Sequence, residues 1–176
     1  PDMFSLDGSI AISWNYYGDR AGDVHIWDLE QCTISKPVLI FPEVAREISF
    51  SSNGRSLLTG SRAGYTFHVF DVQTGKLRFS LSGFDAKFSA SENQVLVVEE
   101  KAINAYDVET GEYLSPVVKG NFDYMTDVLV SPDGKFLGII DTSTNGFQIV
   151  NIGNNSEIDT LMAFDNSNLY FSRNGN

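Results

Sequence analysis

Short alternating runs of apolar and polar residues, each closed by a turn signal, fill this chain from end to end. The clearest set lies in residues 48–81. Ile48, Ser49 and Phe50 alternate with the period of a half-buried strand. Ser52-Asn53-Gly54-Arg55 follows, and Asn-Gly between two apolar runs is a strong hairpin signal because both residues tolerate positive φ. A second run covers 56–59 and turns at 60–64. A third, rich in β-branched and aromatic residues, covers 66–72. The polar turn 71–76 carries a glycine suited to the left-handed region. A fourth run covers 77–81. No stretch holds a helical period, so the unit is predicted to be a four-stranded antiparallel meander.

The unit recurs. Phe50-Ser51 followed by Gly54 matches Phe4-Ser5 with Gly8, Val130-Ser131 with Gly134, and Phe171-Ser172 with Gly175. Phe88-Ser89 holds the same place with Glu92-Asn93 as its turn. These landmarks are spaced by 46, 38, 42 and 41 residues. A second landmark ends each third strand: Asp28, Asp71, Asp107 and, in its place, Asn151, spaced by 43, 36 and 44 residues. Two independent landmarks therefore give a period near forty with four strands per repeat, the signature of a β-propeller blade. The predicted fold class is all-β, a β-propeller of four-stranded antiparallel blades, with about four blades in the chain. The approximate repeats are 4–47, 48–84, 85–125 and 126–168, with a fifth beginning at 169–176. Predicted strands are 10–14, 23–29 and 38–41 in the first blade. The third has 85–88, 94–99, 102–108 and 113–118; the fourth has 126–130, 136–140, 147–152 and 158–162.

The motifs resemble those of WD-repeat propellers. Val24-His25-Ile26-Trp27-Asp28-Leu29 looks like a third strand of that family. Residues 48–55 and 128–135 look like its first strand and turn. Only one repeat keeps the Trp-Asp pair; Phe70, Tyr106 and Val150 stand in for the Trp elsewhere. The family's Gly-His pair is absent, since His25 and His68 both fall inside third strands, so its full His-Asp-Ser-Trp hydrogen-bond network cannot form. Quinone-binding propellers fit poorly, because their Trp is missing after Thr74-Gly75 and Thr110-Gly111.

Length and composition narrow the function classes. With 176 residues, 42% of them hydrophobic, the chain can bury a core. The repeat pattern starts partway into one blade and stops just after another begins. A piece of a larger propeller is therefore expected, its remaining blades supplied by the same or a partner chain; the alternative is a closed four-bladed ring. The net charge of -11 repels phosphate backbones, so nucleic-acid binding is not expected, while a basic partner is favoured. A single Cys32 points to a reducing, intracellular and cytoplasmic setting. No run of eighteen apolar residues predicts insertion in a membrane. Asn154-Asn155-Ser156 is a chance-level glycosylation triplet.

No catalytic motif stands out: there is no His-Glu-x-x-His, Gly-x-Ser-x-Gly, phosphate loop or Cys-x-x-Cys. Gly60-Ser61-Arg62-Ala63-Gly64 only superficially resembles a nucleophile turn, being out of register and ahead of a strand. His25 and His68 share a repeat position and are expected to pack between blades rather than bind metal. Asp165-Asn166-Ser167-Asn168 lacks the glycine and distal glutamate of a calcium loop and reads as a turn. Trp27 and Phe70 are expected to pack between blades. No catalytic, metal or cofactor residue is assigned, and no cofactor is expected.

What the resemblance implies is a working face. In WD-like blades, the loops from second to third strand and from fourth strand to the next first strand share one side, the family's usual partner face. On this mapping that side collects Tyr16, Tyr17, Arg20, Arg62, Tyr65, Phe84, Phe122 and Tyr124. Tyr and Arg dominate interface hot spots, because they bury large area and keep a polar tip. The competing reading is that these loop residues pack on their own blades; it stands level with the first for Tyr16, Tyr17, Arg20 and Phe122 and is favoured for Arg62, Tyr65, Phe84 and Tyr124. The expected function is a non-enzymatic platform for a protein or peptide partner, within a larger protein. The alternatives are a regulatory or sensor propeller attached to an enzyme such as a signalling ATPase, and an enzyme using the central channel.

Overall fold

A computed structural model describes residues 2–5, 8–14, 23–30, 33–34, 39–40, 47–61, 64–90, 93–143, 146–152, 156–162 and 171. The described residues form strands and turns, and no helix among them is long and apolar enough to cross a membrane. The chain divides into two compact units, Pro1–Ser80 and Leu81–Asn176.

The first unit holds two antiparallel sheets. One runs β1 (Asp2–Phe4), β2 (Ile10–Trp14), β3 (Asp23–Asp28) and β4 (Thr33–Ile34), with β5 (Leu39–Ile40) also pairing β3. The expected single outer strand at 38–41 is thus replaced by two short pieces: Trp27 pairs with Ile34, and Val24 with Leu39. Pro37, between them in sequence, has no N–H with which to continue a ladder. The other sheet is β6 (Glu47–Phe50), β7 (Ser56–Ser61), β8 (Thr66–Asp71) and β9 (Leu77–Ser82), in chain order.

The second unit repeats the plan. One sheet is β10 (Asp85–Phe88), β11 (Gln94–Val98), β12 (Ala102–Asp107) and β13 (Tyr113–Lys119). The next is β14 (Thr126–Val130), β15 (Phe136–Asp141), β16 (Gly146–Asn151) and β17 (Ser156–Met162). Each sheet is a meander of neighbouring strands, as the repeat predicts, and the strand limits fall within a few residues of the expected ones.

The repeated motifs carry the local structure. Behind three of the first strands, the Ser side chain caps the turn: Ser51 Oγ accepts the N–H of Ser56 at 2.9 Å, and Ser131 Oγ that of Phe136 at 2.9 Å. Ser5 Oγ accepts the N–H of Ile10 at 3.0 Å. The turn then needs a left-handed residue. Gly8, Gly54 and Gly134 supply it at φ near 70°, and Asn93 does so at φ 51° in the blade that lacks the glycine. The turn after each third strand works through its Asp. Asp71 Oδ1 accepts the N–H and Oγ1–H of Thr74, both at 2.7 Å; Asp107 treats Thr110 the same way at 2.8 and 3.1 Å.

Each unit buries its core between its two sheets. In the first, Ile12, Val24 and Ile26 meet Ile48, Leu57, Phe70 and Val72. In the second, Leu96, Val98, Ile103 and Ala105 meet Val128, Leu137, Ile139 and Val150. Second strands lose the period-two alternation because both faces are covered: Val95, Leu96, Val97 and Val98 are all buried. Every such aliphatic side chain contributes about 1.5–3 kcal/mol when removed from water.

Candidate interaction face

The second unit gathers three connections on one side. The β11–β12 turn closes through the Glu99 N–H to the Ala102 carbonyl at 2.9 Å. The β13–β14 loop leans on that turn: the Gly120 N–H donates to the Lys101 carbonyl at 3.1 Å and the Phe122 N–H to the Glu100 carbonyl at 3.0 Å. The β15–β16 turn joins from the next sheet, where the Thr142 N–H and Oγ1–H both donate to the Met125 carbonyl, at 3.1 and 3.0 Å. Second-to-third and fourth-to-first connections therefore share a side in this unit, held by backbone hydrogen bonds.

Asp123 shapes the middle of that loop. Its Oδ1 accepts the Met125 N–H at 2.8 Å, its carbonyl accepts the Thr126 N–H at 3.0 Å, and its own N–H donates to Thr126 Oγ1 at 3.2 Å. This knot lifts Tyr124 outward, and the residue is 59% exposed. Phe122 is half-buried, packed against the apolar core of the unit and over Gly120, whose absent Cβ would sit 2.7 Å from the ring. Carboxylates dominate these loops: Glu99, Glu100, Asp123 and Asp141. Among the described residues there the cations are Lys101, held 3.0 Å from Glu100 and 3.3 Å from the Asn121 amide oxygen, and the exposed Lys119 that ends β13.

Of the sequence-selected residues, Phe122 and Tyr124 come together here. Tyr65 belongs to the β7–β8 turn of the first unit, 42% exposed and at φ 49°, a conformation that costs an aromatic residue energy. Tyr16, Tyr17, Arg20 and Arg62 lie outside the described residues, as do Cys32 and 165–168. Phe84 is half-buried against the core, and its N–H donates to the Val98 carbonyl at 2.7 Å. Sequence reasoning missed Asp123, Asn121 and Thr142, because their role is to fasten one loop to another.

The third-strand aromatics split by chemistry. Phe70 is buried between the sheets of its unit, as expected. Trp27 departs from expectation: it is 37% exposed, and its Nε1–H donates to Ser13 Oγ at 2.9 Å. A Trp–Ser pair thus forms without any histidine. Tyr106, at the same repeat position, points its O–H at Glu99 Oε1, 2.5 Å away, and packs edge-on to Tyr113. Burial and the Glu99 carboxylate push its phenol up to about 12. Aromatics with a polar tip stay near the surface to satisfy it, and Phe70 is free to go inside. His68 is half-buried, with Nδ1 2.7 Å from Ser80 Oγ and its ring against Phe70. Among the described residues no three His, Cys, Asp or Glu side chains gather to hold a metal ion.

One further cluster lies on the first strands of the second unit. Asp85 is fully buried. Its Oδ1 accepts the Ala86 N–H at 2.9 Å, and its Oδ2 accepts the Val128 N–H at 3.1 Å. Lys87 Nζ stands 3.5 Å from Asp85 Oδ1. Burial pushes the Lys87 ammonium down to about 8 against the opposing pull of Asp127.

Four antiparallel meanders, three of four strands and one whose outer strand is split in two, repeating about every forty residues and packed face to face within each unit, define a β-propeller fold. Among many solved structures that match is the β-propeller domain of Cps50 (Swd1) from Myceliophteria thermophila. It superposes with a TM-score of 0.74 at 17% identity, over 99% of this chain. The chain spans 59% of that structure's length. No protein-family model and no curated protein matches the sequence. The expected WD-repeat-like propeller is borne out at the level of the fold.

Proposed function

We propose that this chain is a non-enzymatic interaction platform and that its second unit binds a protein partner through the β11–β12, β13–β14 and β15–β16 connections. The observation that carries the reading is Tyr124, held out from a loop that backbone hydrogen bonds fix on both sides. A preorganised aromatic loses little entropy on binding, which is the condition under which one side chain can dominate an interface. The partner segment is basic: Glu99, Glu100, Asp123 and Asp141 outnumber Lys101 and Lys119 on this side, and the whole chain carries a charge of -11. A Lys or Arg laid on the Tyr124 ring would gain from both the carboxylates and the π face.

The test is affinity capture with the full chain and its Tyr124→Ala variant, followed by titration of the captured protein at two salt concentrations. The platform reading expects Tyr124→Ala to weaken binding at least tenfold (about 1.4 kcal/mol or more). It also expects the wild-type affinity to fall with added salt. Undiminished binding by Tyr124→Ala removes this side as the interface, and a salt-independent affinity removes the basic partner.

A further inference from the structure

In each unit the first sheet covers one cross-strand row of the second. In the first unit the row is Phe50, Leu57 and Phe70, directly paired, and Ile12, Val24 and Ile26 pack against it. In the second unit the row is Val130, Leu137 and Val150, packed against Leu96, Ile103 and Ala105. The same row recurs on β1–β3 as Phe4, Ala11 and Trp27, again directly paired. Strand side chains alternate between faces. Ile12, Val24 and Ile26 turn to the core, so Phe4, Ala11 and Trp27 turn away from it. This row stays open: Phe4 is 62% and Trp27 37% exposed. The Trp27 indole N–H already has Ser13 Oγ as its acceptor, so the ring offers apolar surface with no donor to strand. Ala11 stands where the two covered rows carry leucine, which leaves a notch between Phe4 and Trp27.

We propose that this open row docks on the fourth sheet of a second copy of the chain. That sheet turns Val130, Leu137 and Val150 to its own core, so Leu129, Gly138 and Ile149 face the other way, as do Ile140 and Phe147. Leu129, Ile140 and Ile149 are only half-buried. Gly138, Phe147 and Ile149 hold the repeat positions of Ile12, Val24 and Ile26, the side chains that cover the row in the first unit. A second copy thus brings the kind of covering face that the fold already uses in both units. The sizes match as well. Phe147, laid over Gly138, is larger than Val24 or Ile103 at its repeat position, and Ala11 is smaller than the leucines it replaces. One large side chain against one small keeps the packed volume near that of the existing cores. The chain spans 59% of the matched propeller, so that fold holds further sheets, and its sheets pack on both faces. The contact is heterologous: each copy gives its first sheet to one contact and keeps its fourth for another.

The test is analytical ultracentrifugation of the full chain, its Phe4→Ser and Ile149→Ser variants, and an equimolar mixture of the two, over a range of concentrations. Leu129→Ser is the second probe of the fourth sheet, should circular dichroism show Ile149→Ser unfolded. The wild-type chain should pass from monomer to a larger species as concentration rises. Each variant should need about tenfold more protein, or beyond, for the same shift. The mixture should associate where neither variant does alone, because Ile149→Ser keeps the first-sheet face and Phe4→Ser keeps the fourth-sheet face. A wild-type chain that stays monomeric overturns the proposal, as does association that Phe4→Ser leaves unchanged. A mixture no more associated than its components overturns the pairing of these two sheets.

Discussion

The Asp85 carboxylate and the Val128 backbone are joined across two sheets, Oδ2 accepting the N–H at 3.1 Å over a separation of 43 residues. That single contact ties the first strand of one blade to the first strand of the next. It is buried, and Asp85 has no solvent to replace either of its backbone donors.

Replacing Asp85 by Ala should therefore destabilise the second unit by about 3 kcal/mol, because it leaves the Val128 N–H buried without its acceptor and removes one counter-charge of Lys87. Urea denaturation followed by fluorescence measures this. A loss below about 0.5 kcal/mol would show that the clasp is not holding the sheets together.

Lys87 makes a pH prediction of defined sign. Its folded value of about 8 lies below the ordinary 10.5. Between those two values the unfolded chain holds a proton that the folded chain lacks, so stability rises with pH through that window. Below pH 8 the full cost of burying the ammonium is present. Lys87→Met should flatten the pH 8–10.5 limb of the stability curve by about 2–3 kcal/mol relative to wild type. An unchanged slope would place the titration elsewhere.

Asp71 should govern the acid limb of the first unit. Burial raises its pKa, but the Arg78 hydrogen bond and those from Thr74 outweigh that and hold it at about 2. A folded value below the unfolded one gives stability that is present above pH 4 and lost as pH falls toward 2. The half-exposed setting screens the effect to about 1 kcal/mol. Arg78→Met should shift the acid midpoint upward, as monitored by circular dichroism.

Two glycines should respond to alanine for different reasons. A Cβ at Gly60 would lie 2.2 Å from the fully buried Phe67 ring, so Gly60→Ala must displace the core and should cost about 3 kcal/mol or more. Gly75 has open space around it but sits at φ +68°, so Gly75→Ala should cost about 1 kcal/mol of backbone strain. Thermal unfolding of both variants ranks them, and equal losses would refute the packing argument at Gly60.

The repeat was legible because its parts are local. A Ser capping its own turn, a left-handed Gly or Asn, and an Asp accepting from a Thr three residues on are all fixed within six residues. The apolar runs between them then have one antiparallel partner within reach. What the sequence misjudged was the fate of particular aromatics. Phe70, Trp27 and Tyr106 occupy one repeat position, yet the last two stay toward the surface because a polar atom beyond their own strand, Ser13 Oγ on β2 or Glu99 Oε1 in the β11–β12 turn, satisfies the ring's donor.

By itself, then, the sequence determined an all-β chain of about four blades with strands where the runs lie, because short-range hydrogen bonds and alternating burial specify those directly. Only the tertiary structure decided which loops of the second unit stand together, that Tyr124 is held outward while Phe122 turns to the core, and that Asp85 and Lys87 meet the strand that begins with Thr126. Those outcomes depend on contacts between blades some forty residues apart, set by how sheets stack rather than by any spacing along the chain.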